Sequence, residues 1–362
     1  MTRLSELGES HVLRRILTHN HSGTQVIIGP GDDAAVTKTD GHLVSTADML
    51  VENEDFTRDW LDWGRLGRKA AAQNLSDVCV MGARPHGLLV SLAVPNDTDI
   101  ADLEALFSGI IAEAGRAGGA FDCQVPIIGG DLSSSGLVVV AITALGTVGG
   151  GDGSDGVGGD DSAAAVGTGT PILRSGAQAG DSLWLAGTVG RAAAGLELLF
   201  AGLRADTAPV ELAALIDTQL SPQPDYAAMR TVGAASAMID VSDGLSTDLA
   251  RIAAASGVGI DIDRAGLQDL IDPLLPAAEY VLESRGEARS IGDARTTGHG
   301  SAEELALSWA LDGGEDHGFA ASIPSRQCPG VGWWRIGEVR TGHDVSLDST
   351  PVPTSGFSHF GK

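Results

Sequence analysis

The strongest constraint on the fold is a break near the middle of the chain. From Gly149 to Thr170 the sequence reads GGGDGSDGVGGDDSAAAVGTGT. Glycine, aspartate, serine, alanine and threonine supply nearly all of it. So little apolar surface cannot offset the entropy lost on ordering such a segment. The stretch reads as a flexible insertion, and a chain interrupted there must build a core on each side. The 362 residues leave room for two cores, at ~150 residues per domain. The expected organisation is an N-terminal domain over 1–148, the insertion over 149–170 and a C-terminal domain over 171–362.

Both flanks alternate strand-like and helix-like patterns, which predicts mixed α/β domains. Before the break, an amphipathic N-terminal helix is followed by strands at Val26–Ile28 and His42–Thr46. A helix is expected at Leu61–Met81, a strand at Leu88–Val94, a helix at Ile100–Ala117, and strands at Val125–Ile128 and Val138–Thr147. After it come a strand at Ser182–Ala186 and helices at Arg191–Ala201, Val210–Thr218 and Asp225–Ala235. A strand at Ala237–Val241, a helix at Leu245–Ser256 and a strand at Val258–Asp263 follow. The pattern from Pro276 to Gly300 is ambiguous; beyond it Ala302–Ala310 reads as helix, and Gly318–Ile323 and Trp334–Val339 as strands.

Charge narrows the function. Lys and Arg total 23 against 48 Asp and Glu, a formal net charge of -25. Such a chain repels nucleic-acid phosphates and anionic lipid, which disfavours both as partners. No run is long and apolar enough to span a bilayer, and the N-terminus lacks a signal-peptide core. Cys79, Cys123 and Cys328 form no CxxC and read as free thiols. The expectation is a soluble cytoplasmic protein.

Familiar phosphate and hydrolase motifs fail. Gly29-Pro-Gly31-Asp-Asp-Ala34 fits GxGxxA in form, but carboxylates in a loop meant to cradle pyrophosphate oppose that use. No GxxxxGK[ST] and no GxSxG occurs. A single calcium-nonapeptide match in the insertion has no second turn to stack on. His19 and His21 lack a third ligand nearby.

What remains is a set of acids, most of them beside glycine or other small residues. They are Asp32 and Asp33 in GDDAAV, Asp48 in STADMLVE, Asp77 in NLSD, Asp131 in GGDLSS, Asp240 and Asp243 in DVSDGL, and Glu315 and Asp316 in GGED. Any one alone is ordinary turn or cap chemistry. Together they ask for cations, because clustered carboxylates repel one another. Oxygen donors without Cys or His select Mg²⁺ or Mn²⁺, and Mg²⁺ is commonly completed by phosphate oxygens. Asn74 and Asp77, three apart on a helix, share a face. The ligand read from the residues is a polyphosphate admitted with its metals.

In order along the chain, GDDAAV, STADMLVE, GRKAAAQNLSDVCVMGARP, GGD, LRSGAQAGDSLWLAGTVGRAAAGLELL, DVSDGLSTDLARIAAASGVGI and GGED resemble the thiamine-monophosphate kinases of bacteria and archaea. That family belongs to an ATP-binding superfamily with aminoimidazole ribonucleotide synthetase and selenophosphate synthetase. The resemblance spans nearly the whole chain outside the insertion. It implies a homodimer whose N-terminal domains form a shared β-barrel, each followed by a C-terminal α/β domain. By motif position it implies several Mg²⁺ ions on Asp33, Thr46, Asp48, Asp77, Asp131, Asp240 and Asp243. ATP contacts fall on Phe107, Gly130, Asp131, Arg174 and Ser242, and substrate contacts on Asp55, Glu315 and Phe357. The implied reaction is direct transfer of the γ-phosphoryl group of ATP to thiamine monophosphate, with no general base.

Departures are visible. Val51-Glu-Asn-Glu-Asp55-Phe56 stands where the family usually reads VEGVHF, so Asp55 replaces a His and Asn53 a Gly. Ala47 replaces a Ser or Thr, and His317-Gly318 follows GGED where an aromatic or His and a larger residue are common. Selenophosphate synthetase is disfavoured because no early Cys-plus-Lys pair exists, and a hydrogenase-maturation dehydratase because the tail lacks a terminal Cys. An aminoimidazole ribonucleotide synthetase-like ligase and an inactive nucleotide- or cation-binding regulator are the alternatives.

Overall fold

Two helices packed backbone to backbone organise the first half of the chain. The computed structural model describes residues 2–7, 9–31, 34–149, 169–291 and 300–353. The chain divides into two compact units, Met1–Pro171 and Ile172–Lys362. In the first, α1 (Glu9–Ile16), β1 (Val26–Ile28), β2 (Val36–Thr37) and β3 (His42–Val51) precede α2 (Trp63–Val80). Then follow β4 (Arg84–Val94), α3 (Ile100–Ala120), β5 (Ile127–Ser134) and β6 (Val139–Val148). Asp62 and Asp99 cap α2 and α3 by accepting the N–H groups of Arg65 and Ala101. The two helices touch where side chains are absent. A Cβ added at Gly67 would lie 2.0 Å from Leu106 O, and one at Gly109 would lie 2.1 Å from Gly64 O.

β1 and β2 form a small antiparallel pair, and the other four strands form a sheet in the order β3-β6-β4-β5. Only the β4–β5 pair in that sheet is parallel. One face carries the apolar row Val140, Ile142, Ala144 and Val148 of β6, each at most 1% exposed. The alternate residues of β6 are half-buried on the other face. Among the described residues the sheet is open, with β3 and β5 at its edges, and a single chain closes no barrel.

The second unit contains β7 (Ser182–Ala186), α4 (Arg191–Phe200), α5 (Val210–Leu220), β8 (Ala237–Val241), α6 (Leu245–Ser256) and β9 (Gly259–Ile262). α7 (Arg264–Ile271), α8 (Leu275–Ile291), α9 (Ala302–Asp312), β10 (Gly318–Ile323), β11 (Trp333–Arg340), β12 (Val345–Leu347) and β13 (Thr350–Pro351) complete it. Its seven strands run in the order β13-β12-β9-β11-β7-β10-β8, and β12–β9 is the parallel pair. The interior strand β10, between β7 and β8, is buried at every position, so it lacks the two-fold alternation of a half-exposed strand.

Three departures from the sequence pattern matter. β5 continues through Gly129-Gly130-Asp131, past the end expected at Ile128, because β4 pairs with it from Leu88 to Val94. β3 extends to Val51, which places Asp48 inside a strand. The helix expected at Asp225–Ala235 is a 3₁₀ segment, Tyr226–Thr231. The ambiguous stretch after Pro276 is mostly α8, with the proline in the first turn, where a missing N–H costs nothing. The insertion between residues 150 and 168 lies outside the described residues. All three cysteines are unpaired. Among the described residues no helix is long and apolar enough to cross a membrane.

Candidate functional site

Thr46, Asp48 and Asp77 come together where α2 packs on β3. Thr46 Oγ1 donates to Asp77 Oδ2 at 2.8 Å, and the Asp48 backbone N–H donates to Asn74 Oδ1 at 2.9 Å. Asn74 is fully buried and its amide nitrogen donates to Ala70 O at 2.9 Å, which locks its orientation. One turn along, Asp77 is half-buried, while Asp48 is exposed. The three-residue spacing puts Asn74 and Asp77 on the same helix face, and both reach the outer strand.

Asp131 stands at the opposite edge of the same sheet. β6 and β4 separate β3 from β5, roughly 14 Å in steps of ~4.8 Å per strand. The exposed Asp131 borders a cleft of ≈ 1110 Å³ with Gly130 and with Phe107 of α3. Gly29, Pro30 and Gly31 form another wall of that cleft. Asp33 itself lies outside the described residues, as does Phe357. Among the described residues, no three His, Cys, Asp or Glu side chains group closely enough to hold a metal ion.

Asp55 closes the turn after β3. Its Oδ2 accepts the Val51 N–H at 2.7 Å, and its own N–H donates to Val51 O at 2.9 Å. Asn53 in the same turn has φ 69°, a left-handed conformation that Asn tolerates and Gly adopts freely. That explains how Asn occupies a position where the resemblance implies Gly.

In the second unit the acids fall on two adjoining segments, the β8–α6 connection and the run from Gly313 into β10. Asp240 is buried on β8, and its Oδ2 lies 3.2 Å from Nδ1 of the buried His317. Asp243 is held by Arg251 at 2.6 Å, and the same guanidinium reaches Asp248 at 2.5 Å. Asp248 is fully buried, and its Oδ2 accepts the N–H groups of Ser242 and Asp243 at 3.1 and 3.0 Å. Burial pushes the Asp248 carboxyl up to about 6, against the pull of the Asp243 N–H and of Arg251. Asp248 thereby shapes the loop that presents Ser242 and Asp243.

Glu315 has φ 67°, and its N–H donates to Ser242 O at 2.9 Å. Its Oε2 accepts from Gln219 Nε2 at 2.6 Å. Asp316 is turned inward to the start of α4. It accepts from Thr188 Oγ1 at 2.8 Å and from the Arg191 and Ala192 N–H groups at 3.1 and 3.0 Å. Burial raises its pKa, while those donors pull it down. Arg174 is exposed, and its carbonyl accepts from Ser256 Oγ at 3.1 Å. Asp248 and Arg251 lie within the DVSDGLSTDLARI motif but received no role from it, and Gln219 lies outside every motif. The signals available for them were an Asp–Arg pair three apart on α6 and an amide within an apolar helical stripe.

Chemically, the first unit offers an all-oxygen corner and a large cleft, and the second offers acids whose geometry is fixed by neighbouring donors. Comparison with known proteins supplies the family. Residues 31–148 match the family described as AIR synthase related protein, N-terminal domain, and residues 178–291 match AIR synthase related protein, C-terminal domain. A thiamine-monophosphate kinase of Mycobacterium tuberculosis (strain ATCC 25618 / H37Rv) is 38% identical over 347 residues, covering 94% of this chain and 87% of that protein. The crystal structure of thiamine-monophosphate kinase from Stenotrophomonas maltophilia K279a superposes with a TM-score of 0.69 at 28% identity, covering 95% of this chain and 96% of that one. A structure of AaThiL complexed with AMPPCP and TMP gives 0.66 at 26% identity, covering 99% of each. Matches that run through both units at this identity leave one placement: the chain belongs to the thiamine-monophosphate kinase family.

Proposed function

We propose that this chain transfers the γ-phosphoryl group of ATP to thiamine monophosphate, giving thiamine diphosphate and ADP. The observation that carries this reading is the 38% identity to a kinase of that name over 94% of the chain. The relative complexed with AMPPCP and TMP supports the pairing of a nucleotide with a phosphorylated acceptor.

The acceptor needs no general base. A phosphate monoester has a second pKa of ~6 and is already a nucleophile at neutral pH. The difficulty is bringing two polyanions together. Thr46, Asp48 and Asp77 offer only oxygen, the donor type that suits Mg²⁺. They would hold one ion, and Asp33, Asp131, Asp240 and Asp243 are the proposed ligands of further ions, Asp131 standing at the opposite edge of the sheet from Asp48. When bound, Mg²⁺ supplies the positive charge that screens the phosphates and stabilises the departing ADP. Asn74 fixes the β3 backbone at Asp48, and His317 and Arg251 steady Asp240 and Asp243. Phe107 and Gly130 border the cleft proposed for the nucleotide. Arg174 and Ser242 are its proposed contacts in the second unit, and Asp55, Glu315 and Phe357 are those of thiamine monophosphate.

The first unit also carries the proposed homodimer surface. Leu43 and Met49 on β3 are 55% and 57% exposed. They pair with Thr147 and Ala141 of β6, on the face turned away from the apolar β6 row. Directly paired residues share a face. An apolar sheet face flanked by two edge strands is what a second copy would cover in a shared barrel.

The test is ADP release in ATP and Mg²⁺ with each candidate acceptor. Release that depends on thiamine monophosphate supports the kinase reading. Release that depends instead on formylglycinamidine ribonucleotide identifies the ligase, and no release with either acceptor leaves the non-catalytic regulator.

A further inference from the structure

α5 carries a polar residue where its pattern calls for an apolar one. Its buried positions are Leu212, Leu215, Ile216, Gln219 and Leu220, spaced as one helical stripe. An amide on such a stripe costs free energy unless it is hydrogen-bonded. Gln219 is 8% exposed, and its Nε2 donates to Glu315 Oε2 at 2.6 Å.

Both partners are fixed in one frame. α4 and α5 meet backbone to backbone at Gly195, where an added Cβ would lie 2.2 Å from Leu215 O. Asp316, the neighbour of Glu315, is bound to the first N–H groups of α4. Glu315 is therefore tied through α4 to the helix that carries Gln219. The kind of donor also matters. The donor is a neutral amide, and its bond fixes the direction of the Glu315 carboxylate, a group of the charge type that meets a cationic ligand.

We infer that Gln219 is a positioning residue for the acceptor substrate, holding the Glu315 carboxylate in the orientation that meets the thiazolium cation of thiamine monophosphate. The inference rests on the proposed reading of Glu315 as a substrate contact. Gln219→Met keeps the length of the side chain and removes the donor. In the full-length protein with ATP and Mg²⁺, this change raises KM for thiamine monophosphate about 10-fold, while KM for ATP and kcat stay within about twofold of wild type. Glu315→Gln raises the same KM, and adding Gln219→Met to it produces no further change, because the two residues act as one unit. Gln219→Glu sets a like charge against Glu315 and gives the same split between the two KM values, which covers the case of a Met variant that does not fold. Equal changes in both KM values, or an undiminished effect of Gln219→Met in the Glu315→Gln background, overturn the inference. If Glu315→Gln raises KM and the Gln219 variants do not, the inference alone falls. If Glu315→Gln leaves KM for thiamine monophosphate unaltered, the reading of Glu315 falls and takes the inference with it.

Discussion

Asp77 shows how a single side chain carries the account. Its carboxylate accepts from Thr46 at 2.8 Å, and an amide oxygen in the same place could accept that bond equally. Asp77→Asn thus removes charge with little change in shape. It should lower kcat by on the order of 100-fold or more, the scale seen when one electrostatic stabiliser is lost. Its thermal midpoint should stay within about 1 °C of wild type, a range under 1 kcal/mol for a protein of this size at ~2.1 cal/mol/K per residue. Near-normal turnover would remove Asp77 from the cation-holding set. Much at this scale was legible in advance. The spacing of Asn74 and Asp77 put both on one helix face, and the structure has both reaching β3. Gln219 was not legible, since a lone amide in VELAALIDTQL names no partner until the fold brings Glu315 to it.

Among the elements, α4 depends on a residue remote in sequence. Gly190 at its N-cap has no side chain to offer, and Asp316 takes that role for the Arg191 and Ala192 N–H groups. Asp316→Ala should destabilise the protein by about 1–2 kcal/mol, the cost of a lost cap, read as a lower urea midpoint at unchanged slope. An unchanged midpoint would show that water replaces the carboxylate at no cost. Elements that stand on local pattern were readable from sequence, as the boundaries of β7, β8, α6 and β10 show. β5 was not, because the ladder with β4 carries the strand through two glycines, which have low strand propensity, past the end expected at Ile128. The Asp225–Ala235 segment failed for the opposite reason. Its composition suits a helix, but only Tyr226–Thr231 winds, and as 3₁₀.

For the whole molecule, the shared barrel implied by the resemblance remains a proposal about two copies, since one chain presents an open sheet. If a second copy covers that face, sedimentation should give twice the 36.9 kDa chain mass. Met49→Glu, on an exposed strand position, should shift the protein to monomer without unfolding it. A wild-type monomer would refute the shared barrel. The central claim is direct transfer between two phosphates. Its most direct measurement follows the label of γ-labelled ATP in the presence of Mg²⁺ and thiamine monophosphate. The account predicts that label leaves ATP in step with ADP formation and appears in the terminal phosphate of thiamine diphosphate, with none on the protein. Label recovered as inorganic phosphate, or on the polypeptide, would contradict it.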